Sequence, residues 1–447
     1  TAHSSQLTAH SSQLTAHSSQ LTAHSSIIII ILETQMKHYD VIVVGAGASG
    51  LYCAINAGYR GKSVLVIEHS KRVGRKILMS GGGRCNFTNL HNSHKNFISD
   101  NDHFCKSALS RFSVQTFVEQ VERHDIDYHE KTLGQLFCDD SSRKILGMLM
   151  TEIEWAGVEI ATQTSIENIE QLKDGAAKEE GQPRFKIQTN DTQLTAHSIV
   201  IASGGLSIPN GGASPFAYNI AKQFNMKVTE LRAALVPFTL PPESLKYLKP
   251  LSGVSHFASV TTQDGTSFTE AMLFTHRGLS GPVMLQASSY WKNGEHISIN
   301  LFPDQDSLEW LKEQRDAKPN SELQTVLSHH LTKRLAQTLL EFWQLPNAAL
   351  AGLNLKQALG QMSNELLEKI AQQLSDWQIQ PGGTEGYRTA EVTLGGIDTN
   401  EVSSKSFEAK KVAGLFFIGE SLDVTGHLGG HNFQWAWASG FCAAGYV

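Results

Sequence analysis

The sequence predicts an α/β fold in which a Rossmann-like domain is interrupted by an insert. Three observations support this prediction. A continuously apolar run at residues 40–44 leads directly into a glycine-rich turn and a helix-compatible stretch, as expected for a strand buried on both faces of a parallel sheet. Similar strand-like runs and glycine turns occupy residues 37–228 and return at 381–447. The stretch between them has a different character, which indicates the insert.

The composition is that of a folded protein. The chain has 447 residues, 40% of them hydrophobic and 18% charged, with a formal net charge of −6; this length favours more than one domain, and the charge gives no general basic surface for nucleic acid. The longest aliphatic run, residues 27–32, is far shorter than the ~20 residues that cross a bilayer. The five cysteines include no C-x-x-C pair. We therefore expect a cytoplasmic protein with no membrane partner, no disulfide framework and no metal.

Residues 1–35 are expected to be a disordered leader. The heptapeptide TAHSSQL occurs three times and is followed by TAHSS, a polar repeat that cannot bury a core. Two origins remain open. The repeat can be a translated tandem DNA repeat that slips and changes the reading frame, or the true start can be Met36.

A dinucleotide fingerprint opens the fold. The strand 40–44 runs into the G-x-G-x-x-G motif of residues 45–50, the helix-compatible stretch 51–57 follows, and a second strand at 63–67 ends in Glu68. Gly45 allows the tight turn, Gly47 lets the backbone approach a pyrophosphate, and Gly50 lets helix and strand pack closely. The helix N-terminus then offers N–H groups to phosphate, and Glu68 is expected to bind the adenosine ribose.

Three later motifs favour FAD over a nicotinamide cofactor alone. Three consecutive glycines, Gly81 to Gly83, follow the second strand and expose backbone N–H groups. The strand 198–202 leads into Ser203-Gly204-Gly205, and the strand 415–418 leads into Gly419-Glu420, a position suited to the ribityl chain. The sequence holds no second G-x-G-x-x-G, so NAD(P)H, the expected electron donor, has no separate domain visible in the sequence.

Five motifs resemble the BaiN/RdsA family of NAD(P)H- and FAD-dependent oxidoreductases, from residue 37 to the end. They are residues 45–50, GRKILMSGGGRCNFTN at 74–89, LFTHRGLSGP at 273–282, TEGYRTAEVTLGGI at 384–397 and GESLDVTGHLGGHNFQWAW at 419–437. The resemblance implies an FAD-binding domain over 36–228 and 381–447, split by an insert at 229–380. It further implies a small β-barrel at about 229–303 and a helical unit at about 304–380, which cover the flavin and shape the substrate pocket.

The insert has strand-like runs at 235–240, 254–261 and 297–302, followed by amphipathic helical patterns at 322–343 and 355–377. With the fingerprint and the family motifs, the expected cofactor contacts are Gly45, Gly47, Ala48, Ser49, Gly50, Glu68, Arg75, Lys76, Ser80, Gly81, Gly82, Cys85, Asn86, Ile166, Ser203, Gly204, Gly419, Glu420, Asp423, Gly430, Asn432 and Phe433.

Candidate catalytic residues are Cys85, Tyr387, Arg388 and His431. Arg84 and nearby N–H groups are expected to lower the pKa of Cys85, although the sequence shows no resolving cysteine near it and a flavin-lining role stays open. Tyr387 is a candidate proton donor and Arg388 a candidate to polarise a carbonyl. The alternative is an Arg388–Glu391 ion pair that only stabilises the turn.

Two further segments contain candidate histidines. His276 and Arg277 are expected to face the substrate, and the helix that starts near His431 is expected to aim its N-terminus at the flavin pyrimidine ring. His427 and His431 lack accompanying ligands for a metal.

The predicted function is an FAD-dependent oxidoreductase that reduces an activated C=C bond beside a carbonyl, with electrons from NAD(P)H. The resemblance implies two substrate classes, a small steroid-like enone or a uridine in ribosomal RNA, which would become dihydrouridine. A flavin-binding module without turnover is the alternative. For RNA, the candidate phosphate-binding residues are Arg232, Lys246, Lys249, Arg277 and Lys292.

Overall fold

The structure is a computed structural model that describes residues 36–172 and 183–447. The predictions for the leader, residues 1–35, lie outside the described residues. The helices are α1 (Ala48–Gly58), α2 (Arg75–Met79), α3 (Lys106–Arg111), α4 (Val114–Arg123), α5 (Ser142–Trp155), α6 (Phe216–Gln223), α7 (Pro242–Leu248), α8 (Pro282–Ser288), α9 (Ser307–Ala317), α10 (Leu323–Leu327), α11 (Lys333–Trp343), α12 (Asn364–Ser375) and α13 (His431–Ala443).

Short strands alternate with these helices. They are β1 (Lys37–Val44), β2 (Val64–Glu68), β3 (Asn86–Asn89), β4 (Phe97–Ile98), β5 (Tyr128–Glu130), β6 (Gln135–Cys138), β7 (Glu159–Thr162), β8 (Ile166–Gln171), β9 (Phe185–Thr189), β10 (Gln193–Ile201), β11 (Arg232–Ala234), β12 (Phe238–Thr239), β13 (Ser255–Thr261), β14 (Ser267–Phe274), β15 (Gly278–Ser280), β16 (Ile297–Asn300), β17 (Trp377–Ile379), β18 (Gly383–Thr384), β19 (Val392–Leu394), β20 (Leu415–Phe417) and β21 (Thr425–Gly426).

The α/β prediction is confirmed by the central sheet, which joins the first and last parts of the chain. Its order is β7–β2–β1–β10, all parallel; β20 pairs parallel with the end of β10, and β9 pairs antiparallel with its start. Helices cover the sheet, so Val41, Ile42 and Val43 of β1 are fully buried, which explains why this strand reads as one apolar run. β10 begins earlier than the predicted residue 198, at Gln193, so the polar start of this segment is also strand.

Helices α1 and α13 pack tightly against one another beside this sheet. Gly440 of α13 lies so close to α1 that a Cβ on it would sit 2.6 Å from the Ser49 carbonyl oxygen. The Trp437 ring of α13 stacks on Phe117 with 4.5 Å between ring centroids. The second half of the last helix is therefore anchored to the start of α1, the helix that follows the glycine motif.

A second sheet is built from residues between the two parts of the first. Its order is β17–β16–β13–β14–β15–β12–β18, with every neighbouring pair antiparallel. The strands predicted at 254–261 and 297–302 correspond to β13 and β16. In the run predicted at 235–240, only residues 238–239 form a strand, β12; residues 235–237 link β11 to β12. The buried apolar side chains of this sheet share one cluster with those of α9 to α12.

The two long amphipathic helices predicted after this sheet are wrong in length. Residues 322–343 form α10 and α11 because Thr332 interrupts them: its hydroxyl accepts the Leu335 N–H at 3.3 Å and caps α11. Within 355–377, helix α12 starts only after Ser363, whose hydroxyl accepts the Leu366 N–H at 3.2 Å, and Trp377 already belongs to β17. Ser and Thr favour N-cap positions, and this local preference overrides the amphipathic pattern.

The described residues form two large hydrophobic clusters and a small one between them. The first is drawn from residues 39–226 and 397–447, and the second from residues 238–379. The small cluster contains Ala234, Leu235, Val392 and Leu394, with Leu285 and Leu428 packed against it. In the described ranges, no helix combines the length and the apolar character that crossing a membrane requires.

Candidate functional site

Three predicted glycine turns meet at the carboxyl edge of the central sheet. The Gly45 N–H donates to the Ile67 carbonyl at 2.8 Å, the Ala202 N–H to the Val44 carbonyl at 2.9 Å, and the Ile418 N–H to the Ile201 carbonyl at 3.1 Å. The loops that follow β1, β10 and β20 therefore emerge side by side, which is the usual place for a ligand in an open α/β sheet.

The glycines of the first turn divide into two kinds. A Cβ on Gly50 would lie 1.9 Å from the Gly45 carbonyl oxygen, and a Cβ on Gly45 would lie 2.6 Å from the Ala202 carbonyl oxygen. A Cβ on Gly47, in contrast, would meet no atom within 4 Å. Gly45 and Gly50 are thus required by packing, whereas the absence of a side chain at Gly47 leaves open space directly in front of the start of α1.

That open space faces unpaired donors. No side chain among the described residues caps α1, so the N–H groups of Ala48 and Ser49 stay available at the positive end of the helix. Ser49 itself packs against the third turn, since a Cβ on Gly419 would lie 2.5 Å from its hydroxyl oxygen. The arrangement suits a diphosphate bound in front of Gly47.

Glu68 holds the same turn from the neighbouring strand. Its Oε2 accepts the Ala46 N–H at 2.9 Å, and its Oε1 accepts the N–H of Ser70 at 2.8 Å and the Ser70 hydroxyl at 2.5 Å. The Thr164 N–H donates to the Glu68 carbonyl at 3.1 Å, so Ile166 lies a short distance away on β8. A carboxylate has about four acceptor positions, so these three bonds leave one position for a ribose hydroxyl, on the side away from His69, whose Nδ1 lies 3.2 Å from Oε1.

The Gly81 to Gly83 turn presents its backbone openly. All three glycines have positive φ, and a Cβ on Gly82 or Gly83 would meet nothing within 4 Å. Ser80, which begins this turn, uses its hydroxyl to cap the Ile77 carbonyl at 2.8 Å. The backbone N–H groups here remain accessible to a bound group.

Lys76 and Glu420 come together although 344 positions separate them. The Lys76 ammonium lies 2.6 Å from Glu420 Oε2 and donates to the Ser207 hydroxyl at 2.8 Å. Glu420 Oε1 accepts the Ser207 hydroxyl at 2.9 Å and the Thr393 N–H at 3.0 Å. Arg75 instead donates to the Asn210 carbonyl. Ser203 and Gly204 lie in the loop beside this network, where a Cβ on Gly204 would be 3.7 Å from Glu420.

Cys85 does not have the lowered thiol pKa predicted for it. Its side chain is fully buried, and burial raises the pKa of the thiol to about 12. The expectation that Arg84 lowers this pKa is therefore wrong, because Arg84 is exposed while Cys85 points inward. The structure also brings a second thiol near. The Cys138 N–H donates to the Arg84 carbonyl at 3.1 Å, and the Cys138 thiol adds to the rise in the pKa of Cys85.

The start of α13 is fixed by amide side chains. When the Asn86 amide is oriented so that its oxygen and its nitrogen both have partners, the oxygen accepts the Gly430 N–H and the nitrogen donates to the Thr88 and Leu136 carbonyls, each at 3.1 Å. Asn432 closes the preceding bend, accepting the Gly426 N–H and donating to the Gly426 carbonyl, both at 2.8 Å. Phe433 packs against Trp437 of the same helix.

The polar groups around this helix start are mostly desolvated. Asp423 accepts the Asp100 N–H at 3.0 Å, and burial raises its pKa to about 6. Burial lowers the pKa of His427 to about 4 and that of His431 to about 3. Each ring has a polar partner, the Tyr290 hydroxyl at 2.6 Å from His427 and Asn92 Oδ1 at 2.8 Å from His431. Both imidazoles are neutral at neutral pH, so positive potential here comes from the helix itself.

The segment before β19 carries the other catalytic candidates. Tyr387 is half-buried, its carbonyl accepts the Ile208 N–H at 2.9 Å, and burial raises the pKa of its hydroxyl. Arg388 is exposed, and within the described residues it forms no ion pair with Glu391. The turn-stabilising pair that the sequence left open is therefore absent from this part of the chain.

Glu391 is the residue whose character the sequence did not reveal. Its side chain is solvent-accessible, its carboxylate has no hydrogen-bond partner among the described residues, and the surrounding protein raises its pKa to about 7. It lies two positions from Thr393, whose hydroxyl accepts the Leu206 N–H at 2.8 Å in the second glycine turn. The available signal was an acidic residue directly before the buried strand β19.

The insert reaches this segment through one turn. Arg277 lies 3.8 Å from the Glu385 carboxylate, and His276 beside it is exposed. Within the described residues, no group of three histidine, cysteine or carboxylate side chains has the arrangement of a metal site.

Comparison with known proteins gives a consistent result. Residues 39–446 match the family described as HI0933-like protein Rossmann domain. A ribosomal RNA dihydrouridine synthase of Escherichia coli K12 is 50% identical over 409 residues, which cover 92% of this chain and 98% of that protein. The protein of the same name from Haemophilus influenzae is 43% identical and covers 91% of this chain and 98% of its own length. A 3-dehydro-bile acid delta(4,6)-reductase of Clostridium scindens is 26% identical, covering 90% and 97%.

Proposed function

The chain belongs to the HI0933-like family of Rossmann-domain proteins, and on this premise we propose that it is an FAD-dependent oxidoreductase that reduces a uridine of ribosomal RNA to dihydrouridine. The two relatives that share this activity in their names match nearly the whole chain. The more distant bile-acid reductase acts on a C=C bond of a different substrate. The proposal places the chemistry at the uracil 5,6 double bond, which is conjugated to a carbonyl.

The observation that carries the cofactor proposal is the open space in front of Gly47. A Cβ on Gly47 would meet no protein atom within 4 Å, and Ala48 and Ser49, which follow it at the start of α1, have no capping side chain among the described residues. We propose that the diphosphate of FAD lies there, with Glu68 on the adenosine ribose. The resemblance also assigns contacts to Gly81, Gly82, Asn86, Asp423, Gly430, Asn432 and Phe433, which stay proposals. Bound FAD supplies hydride to an activated C=C bond.

The residues of the chain must then hold the uracil and deliver one proton. We propose that Arg388 binds a carbonyl of the ring and that Tyr387 donates the proton, since its raised pKa keeps the hydroxyl protonated over the physiological range. Glu391 is the second candidate, because a carboxylic acid with a pKa of about 7 is well matched to proton transfer at neutral pH. Buried, neutral His431 and the protonated thiol of Cys85 serve better to line the site.

The pH dependence of turnover separates these two donors. If Glu391 supplies the proton, activity falls about tenfold per pH unit above about 7, because the protonated fraction falls in that proportion. If Tyr387 supplies it, activity stays level through this range, and Tyr387→Phe loses turnover while Glu391→Gln retains it. NAD(P)H is proposed as the source of electrons, and comparing NADH with NADPH in the same assay tests it.

We also propose the domain division predicted from the sequence, an FAD-binding domain of residues 36–228 and 381–447 with an insert at 229–380. The order of the second sheet supports the proposed barrel at about 229–303, with two further strands, β17 and β18, added from residues 377–384. Its edge strands β17 and β18 are joined by residues 380–382, a link that spans at most about 15 Å. Seven flat strands at ~4.8 Å spacing would separate those edges by about 29 Å, so the sheet must curl. Helices α9 to α12 supply the proposed helical unit.

The experiment that tests the function starts from a strain that lacks the gene. Mass spectrometry of its ribosomal RNA should show loss of one dihydrouridine, restored by the wild-type chain and by Gly147→Ala but not by Gly47→Val. Purified protein with NAD(P)H and RNA from the deletion strain should form dihydrouridine. An unchanged modification pattern in the deletion strain contradicts the RNA proposal; flavin that reoxidises no faster with RNA or an enone than with oxygen indicates a binding module without turnover.

A further inference from the structure

Exposed cations gather on one side of the insert, next to the candidate catalytic segment. We name this surface the cationic face and define it by Lys246, Tyr247, Lys249, Arg277, Lys333 and Arg334, all of them exposed. Lys246 and Tyr247 come from α7, Lys249 from the short turn that follows it, Arg277 from the turn between β14 and β15, and Lys333 and Arg334 from α11. They are distant in sequence, so the fold alone brings them together.

Backbone contacts show that the three segments adjoin. The Gly253 N–H donates to the Phe274 carbonyl, and the Phe274 N–H donates to the Val254 carbonyl, both at 2.9 Å. The Arg334 guanidinium donates to the Ser252 carbonyl at 2.9 Å. The stretch that follows Lys249 therefore touches the Arg277 turn on one side and the start of α11 on the other.

These cations are largely uncompensated. Only Arg277 of this set has a carboxylate within 4 Å among the described residues, Glu385 at 3.8 Å. Elsewhere in the insert, lysines such as Lys312 and Lys369 have carboxylate partners at 2.8 Å. In a chain with a net charge of −6, an exposed group of unpaired cations is a local feature that attracts a polyanion.

An exposed aromatic ring lies among the cations. Tyr247 is 39% exposed, although its ring is in reach of Phe342, and the Lys246 ammonium lies 5.5 Å from its centroid. Surfaces that bind single-stranded nucleic acid combine such a ring, on which a base stacks, with cations along the backbone. A small neutral enone needs neither feature.

The face also borders the segment that carries Tyr387. The Leu240 N–H donates to the Arg277 carbonyl at 3.0 Å, and the Gly382 N–H donates to the Thr239 carbonyl at 2.8 Å, so the Arg277 turn, the approach to α7 and the start of the catalytic segment adjoin. An enzyme that acts on a base within RNA must unstack that nucleotide. The strand on either side of it then has to cross the surface around the site.

We propose that the cationic face binds the single-stranded ribosomal RNA that flanks the target uridine, an inference that rests on the proposed function. The set differs from the one expected from sequence. Arg232 is half-buried and donates to the Trp291 carbonyl at 3.0 Å, and Lys292 lies near Asp264 instead. Lys333 and Arg334, from the helical part of the insert, take their places.

The test compares two double variants of the full-length holoenzyme. Lys246→Glu with Lys249→Glu changes the face; Lys318→Glu with Lys356→Glu changes the net charge equally at two exposed lysines outside it. Fluorescence anisotropy with a labelled single-stranded RNA oligonucleotide gives the dissociation constant over a range of salt concentrations. FAD content and thermal unfolding show that both variants are intact.

Each phosphate contact contributes about −0.7 to the log–log salt slope for a single strand, so losing two contacts reduces the slope by about 1.4. The face variant should show this change, together with a raised KM for ribosomal RNA, and the control pair should match the wild type. An unchanged slope in the face variant, or equal weakening in both pairs, overturns the proposal. RNA binding at the face without dihydrouridine formation by the wild type would instead contradict the proposed function.

Discussion

Gly47 provides the sharpest test of the cofactor site, because the substitution can be separated from damage to the fold. The backbone at Gly47 has φ −87° and ψ −171°, an extended conformation that valine adopts readily. The added Cβ would meet no protein atom within 4 Å. Gly47→Val should therefore fold, while its side chain fills the space proposed for the diphosphate.

The expected loss follows from the donors that face this space. The N–H groups of Ala48 and Ser49 would each make a hydrogen bond to a charged group, worth about 1.5–3 kcal/mol. Losing both amounts to about 3–6 kcal/mol, which weakens FAD binding roughly 10²- to 10⁴-fold. Gly47→Val should consequently purify with little flavin.

Two other glycines give the matched comparison. Gly50→Ala would place a Cβ 1.9 Å from the Gly45 carbonyl oxygen, so it should lose stability as well as FAD. Gly147 lies inside α5, where an added Cβ meets nothing within 4 Å; Gly147→Ala should keep FAD and gain about 0.5–1 kcal/mol of stability.

The assay is flavin absorbance per protein chain, together with circular dichroism and thermal unfolding of the same preparations. Stoichiometric FAD in Gly47→Val would refute the assignment of the diphosphate to this turn. An unfolded Gly47→Val would refute the claim that the space in front of Gly47 is open.

Three further outcomes follow from the site. Glu68→Ala should weaken FAD less than Gly47→Val, roughly ten- to a hundredfold by titration, since it removes the proposed ribose contacts worth about 1.5–3 kcal/mol. Glu68 also accepts the Ala46 and Ser70 N–H groups, so thermal unfolding is measured on the same preparation; a loss equal to that of Gly47→Val at wild-type stability would contradict the ribose role. The protein around Glu391 raises its pKa to about 7 although the side chain is solvent-accessible, so this carboxyl should take up its proton near neutral pH; an NMR titration of Glu391 with a midpoint near 4.5 would contradict that pKa. Burial lowers the pKa of His431 to about 3, so its neutral form contributes stability above pH 6.5 that is lost as pH falls toward 3; urea unfolding of His431→Gln should show a shallower acid loss than the wild type.

The sequence predicts the first glycine turn and its flanking strand well because their constraints are local. Position 50 must be glycine because a Cβ there would collide with the Gly45 backbone, and β1 is apolar because both of its faces are buried. Each requirement acts over a few residues, so a short motif suffices. β1, β10 and β20 are parallel, so the glycine turns that follow these strands lie at the same edge of the sheet.

Side-chain electrostatics resisted prediction because neighbours in sequence need not be neighbours in space. Arg84 and Cys85 are adjacent in the chain, yet one is exposed and the other fully buried, so desolvation raises the pKa of the thiol with no cation to oppose it. The ion pair that the sequence left open between Arg388 and Glu391 is a second example. Their spacing allows an ion pair, but the chain turns so that none forms among the described residues.

The Lys76–Glu420 pair shows the opposite case and explains how the distant halves of the chain make one site. No local pattern relates the two residues, but both follow strands of the same parallel sheet, β2 and β20. Because the carboxyl ends of parallel strands meet at one edge, their side chains approach to 2.6 Å, and Ser207 after β10 joins them. Glu420 also accepts the Thr393 N–H, so the position of the segment that carries Tyr387 and Glu391 is tied to the cofactor edge. A change at Lys76 should therefore disturb the proposed cofactor site and the segment that carries Tyr387 and Glu391 together.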